Sequence, residues 1–225
     1  MFQPGSSVRA VLALCLLLPA AGVQALPMGS QDTWMVMADA SADASELAAN
    51  FAFTRRDALG FALGRWEEKP HAGAPAAHMQ RREFAALSYT RQLQRWNLPH
   101  AQANLWFVGG VGSARAQGHP GSHALWSAAG LADYETTRVY AGAGWELMRA
   151  GPLRHDTASA RAGFSFYEAE YDEMQPWFIL EVKRERFSAV AKNTVTPLLR
   201  IIHRRVFAEL GANRDGAVFN LMLNY

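Results

Sequence analysis

Apolar and polar positions alternate along most of this chain with a period of two. In 46–54, Leu47, Ala49, Phe51 and Phe53 stand against Ala48, Asn50, Ala52 and Thr54. After the polar turn Arg55-Arg56-Asp57, Leu59, Phe61 and Leu63 stand against Gly60, Ala62 and Gly64. In 138–148, Val139, Ala141, Ala143, Trp145 and Leu147 oppose Tyr140, Gly142, Gly144 and Glu146. A period of two is the mark of strands with two different faces, and hardly any helical template competes with it. The pattern predicts strands over 33–40, 46–54, 58–66, 83–96, 102–115 and 124–135. It continues over 138–148, 157–171, 177–187, 194–203, 206–212 and 215–225. That makes about twelve, provided 194–212 is two strands joined at Arg204-Arg205; read as one, it leaves eleven. Pro197 fits only an early position or an edge.

The face opposite the large apolar residues is often Gly, Ala, Ser or Asn, which suits a confined interior better than water. Lysine is scarce, with only Lys69, Lys183 and Lys192. Connections near 55–57, 97–101, 135–137 and 172–176 read as short. Those near 68–82, 116–123, 149–156 and 187–193 read as longer. Short turns on one side and longer loops on the other belong to a membrane barrel. Trp34, Trp96 and Trp177 fall near one set of strand ends, Trp66 and Trp126 near the other. Two bands of amphipathic rings are what two membrane interfaces select. The expectation is an all-β fold: a transmembrane, antiparallel, up-and-down β-barrel. A soluble periplasmic barrel or sandwich is the competing architecture, because soluble sheets alternate too.

Composition narrows the class. Of the 225 residues 50% are hydrophobic and 19% charged, with a net charge of +2. This excludes a disordered polyelectrolyte and gives no nucleic-acid footprint. The mean hydropathy of −0.10 is too low for a bundle of membrane helices. At the start, Arg9 precedes an apolar run from Ala10 to Leu18, and Val23-Gln24-Ala25 fits a signal-peptidase site. Residues 1–25 are therefore expected to be a cleaved secretory signal, and 26–225 a single domain. The lone Cys15 lies inside that signal, so the mature chain has no disulfide to stabilise it. A closed barrel needs none, because closure satisfies every backbone group and leaves no edge.

The last strand, 215–225, carries apolar residues at alternate positions and ends on an aromatic. At Phe219, Leu221, Leu223 and Tyr225 it resembles the C-terminal insertion signal of bacterial outer-membrane β-barrel proteins. The resemblance implies a bacterial outer-membrane location. It also implies recognition by the barrel-assembly machinery, contact with outer-membrane lipid, and closure of the last strand on the first.

Facing the apolar side to lipid sends Asn220 and Asn224 inward, with Ser88, Thr90 and Gln92. It sends Arg138, Glu146, Arg161, Glu181, Lys183, Arg200 and Glu209 to the lumen as well. Buried charges of both signs must be paired or wetted. They form either a structural network that fills the barrel or the lining of a narrow passage. Gly60, Gly64, Gly142, Gly144 and Gly163 are expected to leave volume for such a passage.

Other chemistry is thin. His71, His78, His119, His123 and His155 fall in or beside the expected outer loops; His119 and His123 are the weak candidates for a metal or haem, although no compact ligand motif is present. No cofactor is implied. Ser122 with His123, Ser127 and His203 lack the context of an activated nucleophile. Gly109-Gly110-Val111-Gly112 sits in a strand pattern with no helix after it, so it is not a phosphate loop. The sequence thus points to a narrow channel for small polar solutes or ions. A structural or ligand-binding barrel is the alternative, and a lipid-modifying enzyme a more distant one.

Overall fold

The computed structural model describes residues 28–68, 80–170, 172–188 and 190–225. The expected signal at 1–25 lies outside the described residues, as do His71 and His78. Strands follow one another in the order β1 (Trp34–Ala40), β2 (Ala44–Ala52), β3 (Asp57–Glu68), β4 (Gln80–Leu98), β5 (Ala101–Ala116) and β6 (His119–Thr136). They continue as β7 (Val139–Ala150), β8 (Leu153–Ser165), β9 (Gln175–Phe187), β10 (Val190–His203), β11 (Val206–Asn213) and β12 (Gly216–Asn224).

Each strand pairs antiparallel with its sequence neighbours, and β1 pairs with β12 to close the barrel. At this seam Val36 lies opposite Leu223 and Ala38 opposite Leu221. The stretch 194–212 is two strands, because Arg204 turns the chain with φ 53° and Ile202 comes to face Phe207. The start of β1 and the end of β12 share one rim, here the near rim; the β1–β2, β5–β6, β7–β8 and β11–β12 turns form the far rim.

The barrel is inverted relative to a water-soluble protein. Leu87 and Val111 face outward 67% and 63% exposed, among many outward residues such as Leu47, Leu59, Phe61, Leu63, Val182, Val195 and Leu210. In water each such side chain forfeits about 1.5–3 kcal/mol of burial. Arg161, Glu181, Lys183, Glu185, Arg200, Glu209 and Asn220 are buried inside. Hydrocarbon contact around a closed, edgeless sheet accounts for this distribution, and a soluble sandwich does not. The fold is a transmembrane β-barrel.

Three expectations are corrected. The far-rim stretches 116–123 and 149–156 are not long loops. Gly118 at φ 84° and Gly151 at φ 58° supply the left-handed backbone of tight hairpins, and β5, β6 and β8 absorb the remainder. The strand expected over 157–171 ends at Ser165 and the next begins at Gln175, so the near-rim connection expected to be short at 172–176 is longer. Trp66 and Trp177 do not join an interfacial girdle: they are 9% and 1% exposed and pack inside, whereas Trp34, Trp96 and Trp126 face outward. Alternation gives a face only if the register is known, and both rings stand on the inward parity of their strands.

Candidate functional site

The lumen is built by the inward parity of all twelve strands. A β-bulge between Gln92 and Gln94 resets this parity on β4. Thr90 and Gln92 point inward before it, and afterwards Arg95 takes the inward position beside Asn104 while Trp96 faces out.

Along β8–β11 the lumen charges are paired. Arg161 on β8 meets Glu181 on β9 at 2.5 Å, and reaches Glu209 on β11 at 3.4 Å. Arg200 on β10 donates to Glu209 at 2.8 Å. Its guanidinium also lies over the rings of Tyr140 and Phe207, 4.3 and 4.8 Å from their centroids. The four charges sum to zero and each is held by at least one opposite partner. This geometry is what a low-dielectric interior requires of buried ions. The same wall carries Lys183 against Glu185 at 3.3 Å. On the seam, Asn220 donates to Asp39.

At the central cavity the arrangement differs. Glu46 on β2 and Glu146 on β7 both border this cavity of about 170 Å³, close enough to repel one another. Among the described residues neither forms an ion pair or hydrogen bond. Around them stand Ser88, Thr90, Ser127, Thr157 and Ser159, with Lys183 and Glu185 from β9. A second cavity of about 250 Å³ lies toward the far rim, under Asp43, Lys192 and Asp215. The two cavities share Glu181, Lys183 and Glu185. At the mouth, Lys192 bonds Asp43 at 2.6 Å and Asp215 at 3.0 Å, tying the β1–β2 and β11–β12 turns to β10. Thr194 lines this cavity with a buried hydroxyl that has no hydrogen-bond partner among the described residues.

Toward the near rim the interior narrows. Gln92 donates to Asn104 at 2.9 Å, Asn104 to Asp133 at 2.7 Å, and the Trp106 indole to Asp133 at 3.0 Å. This polar septum separates the central cavity from a near-rim vestibule of about 1040 Å³ lined by Arg55, Arg95, Arg204, Arg205 and Asn224. The central cavity and the vestibule share no lining residue. On the far side of β3–β8 the interior is filled by Trp66, Phe84, Leu125, Met148 and Leu153.

Several candidate positions change with the geometry. Arg138 is not in the lumen: it sits exposed in the near-rim turn between β6 and β7 and donates to the carbonyls of Ser165 and Phe166. The turn consumes the residue that alternation had assigned to a strand. The glycines leave little open volume, because neighbours lean over them: a Cβ at Gly64 would lie 1.9 Å from Phe84, and one at Gly60 would lie 1.7 Å from Asn50. Gly144 alone of the five lines the central cavity. His155 is not a loop residue; it is buried, stacked on Phe187 at 4.3 Å and edge-on to Trp66 at 4.9 Å.

His123 faces inward beside the Gly151 turn, and His119 stands across from Ala116 at the start of β6. Among the described residues no group of three His, Cys, Asp or Glu is placed to hold a metal ion. Ser122 and His123 face opposite sides of β6, so adjacency in sequence gives them no contact. Ser127 lines the central cavity, and His203 ends β10 at the near rim. Glu46, Asp133, Trp106 and Lys192 were not singled out by sequence. Each lies at an alternating position with nothing local to mark it, and only the closed topology brings it to a partner or a cavity.

No protein-family model matches this chain, and no curated protein matches it. Among solved structures the chain is similar to LpxR from Salmonella typhimurium, with 10% identity, a TM-score of 0.49, and coverage of 86% of this chain and 99% of that one. It is similar to the KdgM porin in complex with disordered oligogalacturonate, with 8% identity, a TM-score of 0.46, and coverage of 86% and 98%. A third similar structure is OccK8 (OprE) of Pseudomonas aeruginosa, with 9% identity and a TM-score of 0.43, covering 92% of this chain and 61% of that one.

Proposed function

We propose that the chain, exported through a cleaved leader at 1–25, is an outer-membrane barrel that passes small polar solutes, cations foremost, along a narrow route. The near rim then faces the periplasm and the far rim the exterior. The last strand, with Phe219, Leu221, Leu223 and Tyr225 on its outward face, serves as the signal read by the barrel-assembly machinery. One observation carries the reading: Glu46 and Glu146 border the central cavity without a cation partner among the described residues, and that cavity adjoins the far-rim one at Glu181, Lys183 and Glu185. A carboxylate pair left open to a wet cavity favours small cations entering it. Arg161, Glu181, Arg200, Glu209 and Asn220 hold the wall in shape, and Asn224 lines the inner mouth.

The septum at Gln92, Asn104, Trp106 and Asp133 favours a second reading, a barrel that binds a small polar ligand from outside without conducting it. Single-channel recording from the refolded protein in planar bilayers separates the two. The channel reading predicts small discrete conductance steps, enlarged when Trp106→Ala opens the septum. A folded barrel that shows neither step nor enlargement belongs to the binding reading.

A further inference from the structure

The outer wall of β7–β9 carries charge above its hydrocarbon belt. On β9, Phe178, Leu180 and Val182 face outward, followed toward the far rim by Arg184 and Arg186. On β8, Ala162, Ala160 and Ala158 lead to Asp156 and Arg154. On β7, Ala141, Ala143, Trp145 and Leu147 lead to Arg149. The register sets Arg149 directly opposite Arg154, Asp156 opposite Arg186, and Ala158 opposite Arg184. Four guanidiniums therefore share one patch across three strands, on the order of 10 Å wide at the usual strand spacing.

The patch is left electrostatically open. Its one acid, Asp156, pairs with Arg149. Arg154, Arg184 and Arg186 are exposed, and among the described residues their side chains form no ion pair or hydrogen bond. Like charges placed directly opposite on a sheet repel, so Arg149 against Arg154 is unfavourable unless an anion lies between. Another stretch of the same rim, on β3–β5, has settled its charge: Arg65 lies 3.7 Å from Glu67, Arg81 lies 2.5 Å from Glu83, and Arg115 stands opposite Glu83.

Below the arginines the wall is shallow. The outward alanines of β7 and β8 form a low strip between Trp145 and the Leu180–Val182 ridge. Trp145 leans away from this strip over Gly130 on β6, where a Cβ would lie 2.8 Å from its indole nitrogen. Trp126, 51% exposed and opposite Arg149, stands at the level where an interfacial ring is expected.

We infer that this patch binds the phosphorylated headgroup of a lipid in the leaflet at the far rim, with an acyl chain along the alanine strip. Guanidinium forks match phosphate oxygens bidentately, and a patch spanning three strands accommodates a headgroup with two phosphates. A soluble anion would gain from the arginines but has no use for the apolar strip beneath them. This assignment rests on the transmembrane fold and not on whether the lumen conducts.

The test is native mass spectrometry of the refolded full-length barrel, with added diphosphoryl lipid A, monophosphoryl lipid A, or phosphatidylcholine. The expected order of retained adduct is diphosphoryl, then monophosphoryl, with phosphatidylcholine at background. R154A/R184A/R186A is expected to lower diphosphoryl retention about tenfold, whereas R65A/R81A/R115A leaves it at the wild-type level. Both variants are first shown to be folded by their unheated gel migration. Conductance of R154A/R184A/R186A stays at the wild-type value, which keeps this result separate from the channel reading. Equal retention by wild type and R154A/R184A/R186A overturns the proposal. So does displacement of the lipid by an equal concentration of inorganic phosphate, which marks a site for a soluble anion. If wild type and both arginine variants lose the lipid equally on a mild rise in detergent, the adduct is non-specific and the proposal also falls.

Discussion

Two sets of charges in one lumen are treated in opposite ways. On β8–β11, Arg161, Glu181, Arg200 and Glu209 neutralise one another within hydrogen-bond reach and are almost wholly buried. At the central cavity, Glu46 on β2 and Glu146 on β7 border open volume, and among the described residues neither has a basic partner. The first set reads as structure, since a buried ion is tolerable only when matched. In the proposed channel the second set is held for a cation that enters, since a carboxylate pair beside open volume is stable only if water or a cation reaches it. Residue type alone does not separate the two roles; the partner does.

The contrast can be broken most strongly at its paired side. Glu209→Ala removes the carboxylate that Arg200 and Arg161 share, leaving Arg161 to Glu181 and Arg200 beside it without that partner, and it should cost about 3–5 kcal/mol of folding stability. The check is the temperature at which the compact band on an unheated-to-heated gel series is lost; a wild-type midpoint would show that the network does not hold the wall. Next comes the lipid side. Leu63→Lys puts a charge on the outward belt and should cost about 2–4 kcal/mol if that position lies near the bilayer midplane. Urea titration of refolding into lipid vesicles measures it. Trp106→Ala should cost less stability but enlarge conductance several-fold, because the indole closes the septum against Asp133. The smallest stability effect belongs to the open side: Glu46→Gln/Glu146→Gln removes a repulsion and no bond, so the gel midpoint should hold or rise. A fall as large as that of Glu209→Ala would erase the distinction between the paired and unpaired charges.

Much of this architecture was legible from the period of two. Alternation placed the strands, and the turn at Arg204-Arg205 made their number even, because lipid and lumen impose opposite polarity on successive residues. What stayed hidden depended on height and partnership. Trp66 and Trp177 occupy strand ends, where girdle and interior rings look alike in sequence; only register puts them inside. Arg138 continued an alternating pattern into what is a turn. The extra residue at Leu93 shifts β4 by one position, which no periodicity foresees. Glycine spacing indicated room but not its occupant, and the room at Gly64 is taken by Phe84 from the next strand. The site itself is the least local part: Arg161 and Glu209 lie 48 residues apart, and Glu46 and Glu146 come to line one cavity only through closure of the barrel.

The proposed role of Glu46 and Glu146 is to set the passage of small ions. It is tested most directly by the reversal potential of single channels in a potassium chloride gradient, compared between wild type and Glu46→Gln/Glu146→Gln. The account predicts a cation-selective wild type and a variant shifted toward zero selectivity with its fold intact. An unchanged reversal potential, or a folded wild type with no conductance above background, would contradict it.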